Sequence, residues 1–222
     1  MTGWAVERHR EAPAAFHARE LPVPLGRTVW VCEPTEPALV LGSSQPLESV
    51  DADACASAGV DVVRRRSGGG AVLVEPGALL WVDVLLPTGD PLWTEDVGRA
   101  FLWLGDAWAA ALGSLGRAGV VHRGPLRPSP WSDRVCFAGL GTGEVVDAGS
   151  GAKLLGLSQR RTRAGARFQC AALADWDPGP LVALLTLGQE ERPSAVAELA
   201  PVAAGVGVPF DALLDALVHA LP

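Results

Sequence analysis

Short runs of apolar and β-branched residues occupy much of the first 90 positions, and each run is bounded by proline, glycine or serine. Runs of about four to eight such residues between turn signals are typical of strands. The pattern predicts five strands, with a candidate helix, LESVDADACASAG, between the second and the third. The predicted strands are TVWVC, ALVLG, VDVVR, AVLV and LLWVDVLL.

From Thr94 onward the period of the apolar residues changes. They recur at steps of three and four positions, which is the spacing of one face of a helix. The pattern predicts an amphipathic helix of about six turns, with Thr94 as its cap and Gly113 and Gly116 near its end. The positions that define this face are Val97, Phe101, Leu104, Trp108, Leu112 and Leu115.

The second half of the chain predicts a hairpin and a helical tail. The segments EVVD, AGSG and AKLLGLSQ predict a strand, a turn and a strand, with Lys153 at the start of the second arm. The tail is predicted to be helical from Asp177, and Pro209 and Asp211 suit the first turn of a last helix that runs to His219. Strands in two blocks with helices against them indicate an α+β, or mixed α/β, domain.

Composition and charge restrict the function classes. The 222 residues are 49% hydrophobic, with a formal net charge of −7, so we expect a soluble domain that does not bind nucleic acid. The four cysteines form no CxxC pair, which indicates neither a zinc site nor a disulfide framework and suits a reduced, cytoplasmic setting. No segment reaches about 18 uninterrupted apolar residues, so we expect no membrane span.

One cation differs in type from all the others. Lys153 is the only lysine among 18 strongly basic residues. A compact ammonium can sit between two oxygens where a planar guanidinium cannot, so this lysine is a candidate functional residue. The alternative is that it is a chance residue on a turn, and composition does not decide between the two.

The stretch RRRSGGGAV, residues 64–72, combines three arginines with three glycines. It lacks the spacing of a dinucleotide-binding fingerprint and the lysine of a phosphate-binding loop. Three residues without Cβ allow a close approach of backbone to ligand. Alternate residues of an extended run face opposite sides, so Arg65 is predicted to point away from Arg64 and Arg66. The alternative is a bulged turn beside a solvated basic strand.

RRRSGGGAV, followed by GAKLLGLSQRR and preceded by ALVLGSSQP, resembles the lipoate–protein ligase family over about residues 38–173. That family combines an arginine pair, a Ser-Gly-Gly-Gly loop and a lysine-containing turn in one active site. The resemblance implies the biotin/lipoate ligase fold, a mixed sheet flanked by helices, related to the cores of class II aminoacyl-tRNA synthetases. It further implies that residues 1–222 form a single catalytic domain without the family's C-terminal accessory domain.

The resemblance also implies a reaction. An ATP-dependent ligase would activate lipoate or octanoate as an acyl-adenylate, with Mg²⁺, and transfer it to a lysine of a lipoyl domain. The acceptors would be apo lipoyl domains of 2-oxoacid dehydrogenases or an H-type protein of glycine cleavage. No residue is expected to bind a resident metal, and no nucleic acid or membrane partner is implied.

The resemblance implies a role for each of the matched residues. Lys153 would bridge the acid oxygen and the α-phosphate, so Lys153→Met is expected to abolish transfer and leave the fold intact. Arg65 would hold the acyl or phosphate end, and three glycines would line a tunnel for an eight-carbon chain. Gln159 would contact the ligand or steady the loop. The full set of matched binding residues is Arg64, Arg65, Ser67, Gly68, Gly69, Gly70, Ala71, Gly156 and Gln159.

Three departures from the family pattern keep other functions open. The family's His-Asp is Val74-Glu75 here, its Gly-Asn is Gly77-Ala78, and Cys170 stands where a histidine is usual. These changes put the nucleotide contacts in doubt, and activation would then be absent or supplied by another chain. A catalytically lapsed domain that binds lipoate or a lipoyl domain is one alternative.

The segment DRVCFAGLGTGEVV supports a different alternative. It resembles the Cys-Phe segment of octanoyltransferases that share this fold. Cys136 would take an octanoyl group from acyl carrier protein as a thioester and pass it to a lipoyl-domain lysine without ATP. Against this stands the common role of a free cysteine as a small buried apolar residue.

Overall fold

The computed structural model describes residues 3–222. Its largest element is a mixed seven-stranded sheet with the order β1-β2-β6-β10-β9-β8-β7, in which β1 pairs with β2 in parallel and the other neighbours are antiparallel. The strands of this sheet are β1 (Ala5–Glu11), β2 (Thr28–Pro34), β6 (Leu79–Pro87), β7 (Gly119–Val121), β8 (Val145–Asp147), β9 (Lys153–Arg161) and β10 (Gly165–Leu173).

A second sheet of three strands lies against one face of the first. Its order is β4-β3-β5, and its strands are β3 (Ala38–Leu41), β4 (Asp61–Arg64) and β5 (Val72–Val74). Val40 and Val74 of this sheet share a buried cluster with Trp30 and Trp81 of the large sheet. The space between the two sheets is therefore an apolar layer.

Helices cover the two outer faces of this pair of sheets. Helices α3 (Leu102–Ser114) and α6 (Phe210–Ala220) pack on the large sheet, where Trp108 is fully buried. Helices α2 (Ala52–Ala58), α4 (Pro178–Ala183) and α5 (Glu191–Leu199) cover the small sheet. A short helix α1 (Pro13–Ala18) contacts β4. The predicted α+β class, with a mixed sheet flanked by helices, is confirmed.

The five predicted strands correspond to β2 to β6, and the predicted hairpin is β8 and β9, with Lys153 as the first residue of β9. The predicted helices near residue 52 and at the C-terminus also form. Three strands were not predicted, namely β1, β7 and β10. The polar sequence AVERHRE of β1 becomes a strand because it pairs with the buried strand β2, which is tertiary information that no local pattern contains.

The long helix is shorter than the prediction and begins later. Residues 99–101 form a 3₁₀ turn and α3 starts only at Leu102, while Thr94 lies outside the helix. Asp96 caps the turn that leads into the helix, because its Oδ1 accepts hydrogen bonds from the N–H groups of Gly98 at 3.0 Å and Arg99 at 3.1 Å. A carboxylate competes better than a hydroxyl for these N–H groups, which lie at the positive end of the helix.

Asp96→Ala is therefore expected to lower the free energy of unfolding by about 1 kcal/mol, the usual cost of losing a side-chain cap. Thr94→Ala is expected to cost less, because its hydroxyl accepts a single 3.3 Å hydrogen bond from the Asp96 N–H. Urea unfolding of both variants at neutral pH measures the difference. A larger loss in Thr94→Ala than in Asp96→Ala would restore threonine as the cap.

Candidate active site

An apolar pocket opens in the layer between the two sheets. Strands β6, β9 and β10 provide its floor, β3 and β5 face them, and α1 and the segment at Cys136 close its ends. The free space inside it that a water-sized group can occupy is about 60 Å³, which is less than the usual volume of a small-molecule site. Its apolar lining includes Val40, Val72, Val74, Trp81, Phe137 and Ala171.

Arg65 lies at the wall of this pocket and is only 6% exposed. Its guanidinium donates to the carbonyl oxygens of Gly68 at 2.7 Å and Gly70 at 2.9 Å, and to that of Val40 at 3.2 Å. Its neighbours Arg64 and Arg66 point away from it, as the period of two predicts. In this arrangement Arg65 holds the glycine loop against β3. Backbone carbonyl oxygens occupy the guanidinium group of Arg65, which sequence analysis assigned to a ligand.

The glycines of the loop do not line the pocket. Gly69 has φ = +98°, and a Cβ there would lie 2.9 Å from Nη2 of Arg65. A Cβ on Gly70 would lie 2.4 Å from the backbone nitrogen of Val135. Two of the three glycines are thus needed for close packing around Arg65 and against the Cys136 segment, while a Cβ on Gly68 would meet open space.

Cys136 begins a short 3₁₀ helix that is attached to the glycine loop. Its N–H donates to the carbonyl of Ala71 at 2.9 Å, and Ala71 in turn donates to Arg134 at 2.9 Å. Cys136 lines the pocket, and its sulfur lies 3.9 Å from Nη2 of Arg65.

The other three cysteines are poor candidates for a nucleophile. Cys32, Cys55 and Cys170 are buried, whereas Cys136 is partly exposed. Burial raises the pKa of the Cys32 and Cys170 thiols, which disfavours their thiolate forms. Among the cysteines, all of which lie in the described part of the chain, Cys136 therefore has the best access to a ligand.

Lys153 has a saturated set of partners. Its ammonium lies 2.8 Å from Oε2 of Glu144 and donates to the carbonyl oxygens of Gly139 at 2.8 Å and Cys136 at 3.0 Å. Three donors thus meet three acceptors, and the residue is only 3% exposed. Lys153 fixes the backbone of the Cys136 segment, and a ligand would have to displace one of these acceptors to reach the ammonium.

Glu144 was not identified from the sequence, although its pairing with Lys153 is the central ion pair of the site. It is buried, and besides Lys153 it accepts hydrogen bonds from the N–H groups of Gly141 at 2.7 Å and Leu157 at 2.9 Å. The carboxylate joins the loop before β8 to the middle of β9. A signal was available, since Glu144 starts the predicted strand EVVD directly after a Gly-Thr-Gly turn, but its partner lies nine residues further on.

Strand β9 presents Gly156 and Ser158 to the pocket, as the period of a strand requires. A Cβ on Gly156 would lie 3.6 Å from the ring of Phe137, so this glycine leaves room beside the Cys136 segment. Gln159 faces the opposite side, where its Nε2 donates to the carbonyl of Val97 at 2.9 Å. Gln159 thus steadies the segment before α3, and its neighbour Ser158 takes the position at the pocket.

A polar cluster lies at the wall of the pocket where Ser67 meets Ser158 of β9, Gln169 of β10 and His17 of α1. Ser67 Oγ lies 3.0 Å from Ser158 Oγ and donates to Oε1 of Gln169 at 3.2 Å. Nε2 of Gln169 lies 3.4 Å from Nδ1 of His17, whose ring packs on Trp81 with 4.8 Å between ring centroids. Of these residues, only Ser67 was predicted to belong to the site.

A buried ion pair positions the His17 segment. Arg167 contacts Oδ2 of Asp83 at 2.5 Å, and it also donates to the carbonyl oxygens of Phe16 at 2.7 Å and Arg19 at 3.0 Å. The guanidinium thus attaches the end of α1 to strands β6 and β10. His17 could not be predicted from sequence, because Arg167 holds it from a position 150 residues further along the chain.

His17 is expected to make stability fall in mild acid. Burial, with the charges of Arg167 and Arg65, lowers the pKa of His17 from 6.5 to about 3. As the pH falls below 6.5 the unfolded chain binds a proton that the folded chain does not, so stability decreases with falling pH. The loss from this group is about 1.4 kcal/mol at pH 5.5 relative to pH 7.5.

His17→Gln removes this titration. Urea unfolding at pH 7.5 and pH 5.5 is expected to give a decrease that is smaller in the variant than in the wild type by about 1.4 kcal/mol. An equal decrease in both proteins would mean that His17 is not held neutral.

Comparisons with known proteins concern the family and the fold of the chain. The profile described as the lipoyl protein ligase A/B catalytic domain matches residues 16–221. The chain belongs to this family. It is therefore a catalytic domain of the lipoyl protein ligase type, as the sequence motifs suggest. No curated protein matches the chain.

Solved structures share the fold at low identity. One is the bipartite lipoate protein ligase studied with its E2 lipoyl domain from Thermoplasma acidophilum, with TM-score 0.75, 18% identity, and coverage of 99% of this chain and 82% of that one. Another is protein Ta0514 of T. acidophilum with bound lipoic acid, with TM-score 0.69, 18% identity and coverage of 99% and 84%. A lipoate-protein ligase A bound with ATP has TM-score 0.66, 19% identity and coverage of 99% and 84%.

A second pocket of this lipoyl ligase-type domain adjoins the first, and Val72 and Phe137 line both. Two of the departures from the family pattern, Glu75 and Ala78, lie in its wall, and Ala71 of the glycine-loop motif lines it as well. The acidic residues Glu75, Asp175 and Asp177 line this pocket, and no arginine or lysine does.

This lining offers no side-chain cation to a triphosphate. Binding of phosphates normally uses cations, helix N-termini or bound metal ions, and three carboxylates repel an anion.

Within residues 3–222 no group of three or more histidine, cysteine or acidic side chains is placed to hold a metal ion. The same described residues contain no helix long and apolar enough to cross a membrane.

Proposed function

We propose that this chain is a cysteine-dependent acyltransferase that moves a medium-chain acyl group from a thioester donor to a lysine of a lipoyl domain. Acyl carrier protein is the donor with suitable chemistry. In the first step the Cys136 sulfur attacks the donor carbonyl, the donor's carbon–sulfur bond breaks, and the Cys136 proton passes to the released thiol. In the second step the acceptor amine attacks the Cys136 thioester, an amide forms, and the cysteine thiol is regenerated.

The observation that carries this proposal is the position of the Cys136 sulfur. Cys136 lines an apolar pocket, and its sulfur lies 3.9 Å from Nη2 of Arg65, a permanent cation. Lys153 anchors the carbonyl of the same residue at 3.0 Å, which supports a positioning role for the lysine. A nucleophile that is held rigidly beside an acyl pocket is what covalent transfer requires.

A lipoyl domain is the acceptor that family membership favours. The T. acidophilum ligase was studied with its E2 lipoyl domain, and an equivalent partner is proposed here. The lipoyl domains of 2-oxoacid dehydrogenases and an H-type protein of glycine cleavage are the candidates. The chemistry on the enzyme side is the same for both.

ATP-dependent ligation, to which sequence analysis gave first place, is the second candidate function. The observation that favours it is the wall shared by the two pockets at Val72 and Phe137, since a free acid in the first pocket would have its carboxylate near the second. One neighbour in fold binds ATP. The acidic lining of the second pocket is the reason to rank ligation below transfer.

The two functions differ in the donor they need. Purified protein is incubated with an apo lipoyl domain, and the intact mass of that domain is recorded in two reactions. One contains octanoyl-acyl carrier protein without ATP, and the other contains free octanoate or lipoate with ATP and Mg²⁺. Transfer predicts modification in the first reaction only.

Modification in the second reaction only would replace transferase by ligase as the function. A domain that is modified in neither reaction, by a protein that still binds lipoate or the lipoyl domain, would favour the catalytically lapsed alternative. A lipoyl domain whose acceptor lysine is changed to arginine is the control, because any modification of that domain lies outside the proposed reaction.

A further inference from the structure

The transfer chemistry leaves a set of charged side chains unused at the rim of the pocket. Gly156 and Ser158 of β9 line the pocket, and Arg160 is the next residue on the same face of that strand. Arg66 directly precedes Ser67, whose Oγ lies 3.0 Å from Oγ of Ser158. Arg66 and Arg160 therefore lie on the same rim.

A single carboxylate joins these two arginines. Glu20, in the loop after α1, contacts Nη1 of Arg66 through Oε1 at 2.5 Å and Nη2 of Arg160 through Oε2 at 3.5 Å. The side chain of Glu20 is 63% exposed and that of Arg66 is 46% exposed, so the ion pairs are in contact with water. Exposed ion pairs add little stability. A carboxylate from another molecule therefore displaces Glu20 at low cost.

Arg66 also lines an open groove between α1 and β4, the edge strand of the small sheet. The groove holds about 400 Å³ of free space, and within residues 3–222 no acidic residue lines it. Four of its lining residues are alanine or valine and two are arginine, so it suits a partner that presents acidic side chains around an apolar one. The lining residues are Ala14, His17, Ala18, Val62, Val63, Arg64 and Arg66.

The charge of the whole chain gives weight to this local concentration of arginines. The formal net charge is −7, so an acidic partner is attracted only where cations outnumber carboxylates. Arg64, Arg66 and Arg160 lie at the groove and the rim, and Glu20 is the one carboxylate within residues 3–222 that forms an ion pair with any of them. The surface therefore favours an acidic partner.

The distance from this rim to Cys136 favours the acyl donor over the acceptor. A Cβ on Gly156 would lie 3.6 Å from the ring of Phe137, the residue after Cys136. Arg160 lies four residues further along β9, which is about 13 Å. A lysine side chain spans about 6 Å, from the lengths of its bonds, which is half of this distance. A thioester carried on a longer flexible arm covers it.

We propose that the rim and the groove at Arg64, Arg66 and Arg160 dock an acidic surface of the protein that carries the acyl thioester. Glu20 occupies two of the arginines when that protein is absent. The inference rests on the proposed function, because it concerns the donor of that reaction. Acidic side chains of the carrier replace Glu20, and an apolar side chain enters the groove beside Val62. Exposed charge pairs of this kind act mainly on association.

Two donors separate docking from chemistry. Octanoyl-acyl carrier protein presents the carrier surface, and octanoyl-pantetheine presents a thioester without any protein. Intact mass measures the rate at which each donor acylates Cys136 at increasing donor concentration. Arg66→Gln combined with Arg160→Gln is expected to raise the half-saturating concentration of the carrier-bound donor about tenfold. The rate with octanoyl-pantetheine is expected to stay unchanged, which also shows that the variant is folded.

Glu20→Gln gives a result that a purely structural role would not give. Loss of the carboxylate frees both arginines, so the half-saturating concentration of octanoyl-acyl carrier protein is expected to fall about threefold. A Glu20 that only held its loop in place would give a rise. Arg99→Gln is the matched control and keeps the wild-type value, because Arg99 is exposed and precedes α3 on the opposite face of the large sheet.

Salt provides a measurement that needs no variant. Between about 0.05 and 0.3 M sodium chloride, the half-saturating concentration of octanoyl-acyl carrier protein is expected to rise several-fold, because salt screens contacts between exposed charges. That of octanoyl-pantetheine is expected to stay constant. Equal salt dependence for the two donors would contradict charge-guided docking.

The acceptor is tested separately. Octanoyl-enzyme made with octanoyl-pantetheine is mixed with an apo lipoyl domain, and the double arginine variant is expected to react at the wild-type rate. If the variant slowed only this second step, the surface would belong to the acceptor and its assignment to the donor would be wrong. An unchanged half-saturating concentration of the carrier-bound donor in the double variant, or a rise in Glu20→Gln, would overturn the docking surface.

Failure of the docking surface is distinguishable from failure of the proposed function. Acylation of Cys136 by both donors, with no shift in the arginine variant, would remove only the docking role. Absence of acylation at Cys136 with either donor would remove the transferase and the donor together.

Discussion

Cys136→Ala is expected to lower the rate of acyl transfer from an octanoyl thioester to a lipoyl domain by about 1,000-fold or more. Removal of a covalent nucleophile leaves only binding and electrostatic effects to assist the reaction. Alanine occupies less space than cysteine at a partly exposed position, so the fold is expected to persist. The rate is measured by intact mass of the acceptor over time, at saturating donor, with circular dichroism as the measure of folding.

Cys55→Ala is the matched control. Cys55 is 1% exposed and belongs to the buried cluster under the small sheet, away from the pocket. Its loss affects packing and stability but not the rate per folded molecule. If Cys136→Ala retained a rate within tenfold of the wild type, Cys136 would be a packing residue and ligation would become the leading function.

Lys153→Met is expected to lower the free energy of unfolding by about 3 kcal/mol as well as to impair transfer. Sequence analysis expected this variant to leave the fold intact, and the pairing with Glu144 changes that expectation. The two groups lie 2.8 Å apart with side-chain exposures of 4% and 6%. Loss of one partner leaves a buried carboxylate with less compensation, which is more costly than loss of both.

The double variant Glu144→Gln with Lys153→Met tests this explanation directly. A neutral amide no longer needs the ammonium, so the double variant is expected to recover at least half of the stability that Lys153→Met loses. Urea unfolding at pH 7.5 of the wild type, both single variants and the double variant gives the coupling energy. Additive losses would mean that the ion pair has no special contribution and that Lys153 is free to serve a ligand.

The two-residue repeat of side chains along a strand and the residue types of the turns predicted the parts of the site that lie on or next to strands. Arg64, Arg65 and Arg66 alternate as a period of two predicts, although only Arg64 lies within β4, and the position of Lys153 follows from its hairpin. The same rule places Ser158 in the pocket rather than Gln159, once Gly156 is taken as pocket-facing. The sequence motif identified Gln159 because this residue belongs to the family pattern. The alternation of side chains along β9 nevertheless places Gln159 on the face of the sheet opposite to the pocket.

The parts that were missed depend on contacts between distant segments. Glu144 acts on Lys153 across a hairpin, and His17 is held by Arg167 from strand β10. Neither contact has a local signature, because a single carboxylate or histidine in a polar segment is compatible with full exposure. The role of the glycine loop also depends on its surroundings. Its tight turns accommodate a guanidinium and a neighbouring backbone, which only the assembled structure shows.

The measurement that tests the central claim most directly is the intact mass of this chain after incubation with octanoyl-acyl carrier protein, with no acceptor and no ATP. The account predicts a mass increase of one octanoyl group that peptide mapping places on Cys136, and removal of that group when an apo lipoyl domain is added. An unmodified enzyme in a reaction that still acylates the lipoyl domain, or an adduct on a different residue, would contradict a thioester at Cys136.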